Sequence, residues 1–181
     1  MTKWKIDPTH SEVSFKVKHL VISTVVGNFK AFDASIETSK EDFSDAVIKF
    51  EAEINSINTK NEQRDAHLKS ADFFDAENHP KMTFESASVE KISDFEMKVK
   101  GNLTLRGVTK EVTLDVIYNG TVSGFGDSTV AGFEVRGKIN RFDFGLQWNA
   151  LTEAGGVVVS NEVKIEILAE FNKVNEAVKA A

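Results

Sequence analysis

Four histidines, His10, His19, His67 and His79, are the residues of this 181-residue chain best suited to acid–base or metal chemistry, and three of them follow closely on an aspartate: Asp7 before His10, Asp65 before His67, Asp75 before His79. A transition-metal centre needs three or four such donors to converge. None of the pairs has the HExxH spacing that places two imidazoles on one helix face. They are read as hydrogen-bonded structural partners, and neither metal ligands nor catalytic residues are assigned. Cysteine is absent, which excludes thiolate chemistry and disulfides. GTVSG at 120–124 is not a nucleophile elbow, and GFGDST at 124–129 lacks the third glycine of a dinucleotide loop. The NxT triplets at Asn102 and Asn119 carry meaning only in a secreted chain.

Two arginines call for positions rather than reactions. Arg64 and Asp65 are adjacent, so on a helix they point about a quarter-turn apart. Arginine suits bidentate pairing, and a salt bridge that docks the helix is the expected role. In RFDFGL at 141–146, Phe142, Phe144 and Leu146 alternate with Arg141, Asp143 and Gly145, which reads as strand grammar.

The elements that carry these residues are mostly strands. Ala46, Ile48, Phe50, Ala52 and Ile54 alternate with polar neighbours, as do Val163, Ile165, Ile167, Ala169 and Phe171. A period of two gives each strand one apolar and one wet face. The pattern recurs at Val13, Phe15 and Val17; Phe32, Ala34 and Ile36; Met82 and Phe84; Phe95, Met97 and Val99; Val112, Leu114, Val116 and Tyr118; Phe133, Val135 and Ile139, for about eight strands. Turns are expected at Ser93-Asp94, Gly107, Asn119-Gly120 and 124–128. The one helical patch spans about residues 60–69, with Thr59 as N-cap and Glu62 returning the bond in a capping box. Short connections make neighbours antiparallel, and strands with one apolar face bury it as a sandwich or a closed barrel. Residues 1–171 form a single domain, and 172–181 a short polar tail.

Composition removes other classes. A formal charge of -6 without a Lys/Arg cluster argues against a nucleic-acid surface. No apolar run approaches the length of a transmembrane segment. The first strand begins by Trp4, which leaves no room for a leader and makes the cytoplasm the expected compartment, or the periplasm if a signal peptide has been removed. Fourteen Phe against one Tyr and two Trp supply apolar area with no polar handle. They suit a packed core or a greasy cavity equally, and a barrel of about eight strands is either just filled or just able to hold a small ligand.

Five blocks carry a resemblance: WKIDPTHSEVSFKV at 4–17 with His19, VGNFKAF at 26–32, SINTKNEQRDAHLKSADFF at 56–74, GNLTLRGVTKEVTLDV at 101–116 and GFEVRGKINRFDFGL at 132–146. In this order they resemble the YceI-like family, the lipocalin-like proteins described as polyisoprenoid binders. The resemblance implies an all-β, antiparallel lipocalin-like barrel around an elongated apolar tunnel, holding a long isoprenoid lipid such as a polyprenyl chain or isoprenoid quinone, with no established catalysis and no cofactor. The inward faces then assign Phe15 and Val17, Phe32, and the trio Ile48, Phe50 and Ala52 to ligand binding. Phe84, Met97, Leu114 and Val116, Phe133 and Ile165 join them from later strands. Arg64 and His67 are the candidates to meet a polar headgroup at the tunnel mouth. Carriage, storage and sensing of the lipid all stay open, as does a homodimer through the barrel's outer face. An enzyme acting on an isoprenoid and a solid-core stress-response protein are the alternative classes.

Overall fold

The computed structural model describes residues 1–175. Eleven strands appear: β1 (Thr2–Ile6), β2 (Glu12–His19), β3 (Ser23–Phe29), β4 (Phe32–Thr38), β5 (Val47–Glu53), β6 (Ile57–Asn58), β7 (Lys81–Lys91), β8 (Glu96–Leu105), β9 (Val108–Ser123), β10 (Thr129–Asn140) and β11 (Val159–Lys173). One helix, α1, covers Glu62–Lys69. Every pairing is antiparallel, in the order β1-β4-β5-β7-β8-β9-β10-β11, and β1 also pairs with β11, which closes an eight-strand barrel. Closure removes the exposed edges of an open sheet.

The long β11 makes that closure possible while serving a second neighbour. Its last residues, up to Lys173, pair with β1 from Trp4 to Ile6. Its earlier part, Val159 to Leu168, pairs with β2 instead, so β2, β3 and β6 continue the wall beside one half of the barrel. Since β11 reaches Lys173, the first residues of the expected tail belong to the barrel; residues 176–181 lie outside the described ones.

Local chemistry departs from the sequence expectation at four places. The helix N-cap is Asn61, whose side chain accepts from Arg64 N at 2.9 Å. Thr59 is buried and its hydroxyl donates to Asp65 Oδ1 at 2.6 Å, so it braces the helix from the side instead of capping it. Asn119-Gly120 is not a turn. Gly132 pairs with Gly120 and Phe133 with Tyr118, which leaves Asn119 as the extra residue of a bulge, and Gly120 adopts φ +110. A glycine free of a Cβ penalty supplies this positive φ as readily as it would a turn. RFDF is a one-turn 3₁₀ helix, Arg141–Phe144, ended by left-handed Gly145. Phe95, read as inward, sits exposed at the β7–β8 hairpin. Among the described residues no helix is long and apolar enough to cross a membrane.

Candidate functional site

The inward faces of the strands leave two voids in line along the barrel. One, of about 140 Å³, lies toward α1; the other, of about 110 Å³, lies toward the β7–β8 hairpin. Only apolar atoms face either space. Phe50, Phe84, Leu114 and Ile167 border both and form the septum between them. The ring of Phe84 is held there by Gly101 on the next strand, where a Cβ would lie 2.4 Å from Phe84 Cζ. A larger residue at 101 would push this ring off its place.

Ten of the twelve residues expected to bind ligand border these chambers. Phe15, Val17 and Ile165 line the first, Ile48, Met97, Val116 and Phe133 the second, and Phe50, Phe84 and Leu114 the septum. Phe32 and Ala52 border neither. They pair with each other at the outer end of β4 and β5, where Ala52 is 1% exposed and closely packed. Their phase is inward, but neither side chain reaches a void, although Met82, the β7 partner of Ala52, lines the first chamber.

The second chamber has a floor that strand periodicity could not reveal. Phe43, in the β4–β5 loop, adopts φ 57 and is 2% exposed. Its ring lies 5.3 Å from Trp4, 5.3 Å from Tyr118 and 5.1 Å from Phe133, the last edge-on. Such tilted and edge-to-face arrangements are the favoured ones for aromatic pairs. The loop is pinned by Asp45, which accepts from the Thr38 hydroxyl and from Ser39 N and Lys40 N. These bonds, the Thr38 hydroxyl first, hold the Asp45 carboxyl down to about 2. Asp42 is also lowered to about 2, chiefly by Ser44, with Lys91 adding an ion pair at 3.1 Å.

Over the first chamber lie Leu68 from α1, Phe73 and Phe74 just after it, and Leu146. Arg141 holds this cover in place. It is 4% exposed, and its guanidinium donates to Leu146 O and Trp148 O at 2.7 Å, Ser160 O at 2.9 Å and Val159 O at 3.3 Å. Burial pushes its ionisation downward, and the ring of carbonyl dipoles is what makes the buried charge tolerable. Arg106 adds a second tie, donating to Phe73 O at 3.1 Å and Gly145 O at 3.0 Å.

Neither expected headgroup residue borders a chamber. Arg64 turns away from the void: its Nε donates to Thr59 Oγ1 at 2.7 Å and its Nη2 to Thr59 O at 2.6 Å. His67 is held between Trp148 and Phe73, edge-on to both at 4.7 and 5.1 Å, and its Nε2 meets Asp72 Oδ2 at 2.8 Å. Of the three Asp–His pairs, only Asp7–His10 forms, at 3.0 Å. Asp65 cannot reach His67, two positions on around the helix, and bonds Thr59 instead. Asp75 accepts from Asn78. Glu170, far away in sequence, approaches His10 to 3.7 Å, and the resulting group of Asp7, His10 and Glu170 spans the β1–β2 loop and β11. The Thr9 hydroxyl and then His10 hold Asp7 well below the usual carboxylate range, and Asp7 raises His10 in turn.

The sequence model of the YceI-like domain matches residues 4–171. A UPF0312 protein of Staphylococcus aureus is 45% identical over 175 residues, covering 95% of this chain and 98% of that protein. The chain belongs to the YceI-like family. Among solved structures, the YCEI protein of Campylobacter jejuni superposes with a TM-score of 0.75 at 35% identity, over 87% of this chain and 90% of that one. A polyisoprenoid binding domain from Saccharophagus degradans shares the fold at a TM-score of 0.65 and 16% identity, covering 94% of this chain and 98% of that one.

Within this YceI-like barrel, sequence reasoning missed strand residues such as Phe29, Leu103 and Leu105, which line the first chamber, and the residues outside strands that shut the ends. Phe43, Leu68, Phe73, Phe74 and Leu146 close the two ends. One signal was present for Phe43: it is a lone aromatic in the polar run ETSKEDFSDA, where an apolar side chain without periodic partners has to be buried by its loop.

Proposed function

We propose that this YceI-like protein binds a long apolar lipid of the isoprenoid class, lying along both chambers, and that it carries, stores or senses that lipid without chemical change. The observation that carries this reading is the pair of voids with wholly apolar walls, set end to end inside a closed barrel. An apolar cavity of ~150 Å³ stays dry and takes a benzene-sized guest. Each chamber therefore suits a short apolar segment, and a long chain suits both once the septum yields. Phe84 packs over Gly101 and Leu114 over Gly137, so Phe50 and Ile167 are the septum side chains without such a glycine contact. The Saccharophagus degradans domain of the same fold, described as polyisoprenoid binding, supports the ligand class.

A catalytic reading finds no support in the walls. Arg141 is the one titratable residue bordering a chamber among the described residues, and its donors are engaged by backbone carbonyls. Extraction of the purified protein with organic solvent, followed by mass spectrometry, tests the proposal. A co-purified lipid with a branched five-carbon repeat is expected. Protein free of any apolar ligand that also fails to take up added polyprenols would overturn it.

A further inference from the structure

The hairpin that joins β2 to β3 breaks the usual rule for tight turns. Its tip is Leu20, Val21 and Ile22, with Leu20 at φ 51 and Val21 at φ 68. Left-handed turn positions are normally filled by Gly, Asn or Asp, and a β-branched residue there is an outlier. Here the side chains so displayed are large, apolar and unburied: Val21 is 72% and Ile22 87% exposed.

A second exposed apolar pair lies beside the tip. Leu151 and Val157 bridge across the hairpin that precedes β11, and Leu20 N donates to Val158 O at 2.9 Å, tying the two hairpins together. This face is continuous with the first chamber. Val17 and Val159 line that chamber, and His19, the last residue of β2, pairs with Val159.

Charge separates this face from the other exposed apolar tips. Residues 13–32 hold Lys16, Lys18 and Lys30 and no acid, in a chain with 28 acidic and 22 basic residues. Lys16 pairs with Glu166, while among the described residues the Lys18 ammonium meets only the Thr24 hydroxyl, at 3.2 Å. At the opposite end, Phe125 is fully exposed next to Asp127, and Phe95 lies between Asp94 and Glu96. The β2–β3 tip, acid-free and carrying Lys18, complements an anionic, apolar-cored surface even with exposed Glu153 in the neighbouring hairpin, whereas Asp94, Glu96 and Asp127 sit directly at the other apolar tips and oppose one.

We propose that the Leu20–Val21–Ile22 turn, with Leu151 and Val157, seats this end of the barrel on an anionic phospholipid bilayer, its apolar side chains entering the headgroup region beside the first chamber. The inference rests on the lipid-binding reading above, because it supplies the reason for an apolar foot next to an apolar cavity. The occupant is a membrane and not a second copy of the chain: the foot is small and turn-shaped, which suits shallow insertion better than the broad patch of a stable dimer.

The test is flotation of the full chain with vesicles of phosphatidylcholine alone and of phosphatidylcholine with phosphatidylglycerol. Wild-type protein is expected to float with the phosphatidylglycerol vesicles and to be released by high salt. The double variant Val21→Asn, Ile22→Ser places a residue tolerant of the left-handed turn at position 21, so the fold is kept while binding falls about tenfold or more. Lys18→Glu is expected to weaken binding to the phosphatidylglycerol vesicles only. Phe125→Ser, at the opposite end, is expected to leave binding unchanged. Failure of the wild type to float, or flotation undiminished in the double variant, overturns the proposal. A concentration-dependent dimer in sedimentation velocity that the double variant abolishes assigns the foot to a second copy and likewise overturns it. Solvent extraction of the same preparations keeps the two readings apart: a double variant that still carries lipid but no longer floats supports docking, and a wild type that floats but never holds lipid removes the cargo reading alone.

Discussion

The two ends of the barrel are shut in different ways. At the second chamber, where β1 pairs with β11, one loop drops Phe43 into an aromatic cluster with Trp4, Tyr118 and Phe133. At the first, the cover consists of α1, none of whose residues is fully buried, together with Phe73, Phe74 and Leu146 strung on hydrogen bonds from Arg141 and Arg106. Both ends are packed, the first through Phe73 with Trp148 and Phe74 with Phe29, but the first also depends on two arginine side chains tied to backbone oxygens. Packing is broad and cooperative, whereas a tie fails when one side chain is removed. The second kind of closure belongs to the low-stability segments of a fold, which are the ones that open locally.

Removing either closure should have the largest effect. Arg141→Leu strands several buried carbonyls and should cost about 3–5 kcal/mol, since each orphaned buried group costs about 1–3 kcal/mol and water relieves some of them. Phe43→Ala should cost a similar ~3–5 kcal/mol through lost packing. The comparison separates them by the way they fail. Hydrogen exchange in Arg141→Leu should quicken first in α1 and residues 70–79, and in Phe43→Ala first in the β4–β5 loop. Uniform acceleration in both would show that the ends do not close independently.

Ala52→Phe comes next. The site is closely packed and outside both chambers, so overpacking should cost about 1–3 kcal/mol and leave lipid content per folded molecule unchanged. A variant with wild-type melting that has lost its lipid would mean that the chambers extend to this side chain.

Leu114→Phe tests the septum, where added volume has space to enter. Chemical denaturation should register less than about 1 kcal/mol. Bound lipid should nevertheless shorten, because the passage is blocked. In the wild type, affinity should climb with chain length, at about 0.8 kcal/mol per buried CH₂ before ordering costs, until both chambers are full. With Leu114→Phe the plateau should arrive after the first chamber alone.

Acid should produce the smallest effect, and of the two ends only the second should show it. Asp42 and Asp45 are held down to about 2 in the fold. Their contribution is present in full above the ordinary carboxylate value of about 4 and is lost as pH falls toward 2. Amides of the β4–β5 loop should then exchange faster over that window, while those of α1 show no matching step. Asp45→Asn should remove most of the response.

Most of the wall was legible in the sequence and the ends were not, for physical reasons. Alternation in β5, β7 and β9 places Phe50, Phe84 and Leu114 on one face, since a strand's side-chain period is fixed at two. Periodicity gives phase but not the packing around each side chain, so Ala52, correct in phase, is closely packed while Met82, its partner on β7, borders the first chamber. RFDFGL alternates as a strand does, and four residues are too few to tell a strand from a single 3₁₀ turn. Arg141 could not be recognised as the tie of the cover because its partners are backbone oxygens, which every residue possesses. Glu170 joins Asp7 and His10 only because β11 returns beside β1.

That return also bears on how the chain reaches its fold. The strands from β4 to β11 are paired mostly with near neighbours in sequence, through hairpins that form quickly. The seam is different: Trp4 meets Lys173 and Ile6 meets Phe171, so the last joint spans almost the whole chain. A contact of such separation carries the largest loop-closure entropy in the molecule and forms late. A nascent chain therefore holds an open, curved sheet with its apolar face exposed until residue 173 has been made, and it is during this interval, before the seam closes, that a long lipid could be laid against the walls without threading past either end.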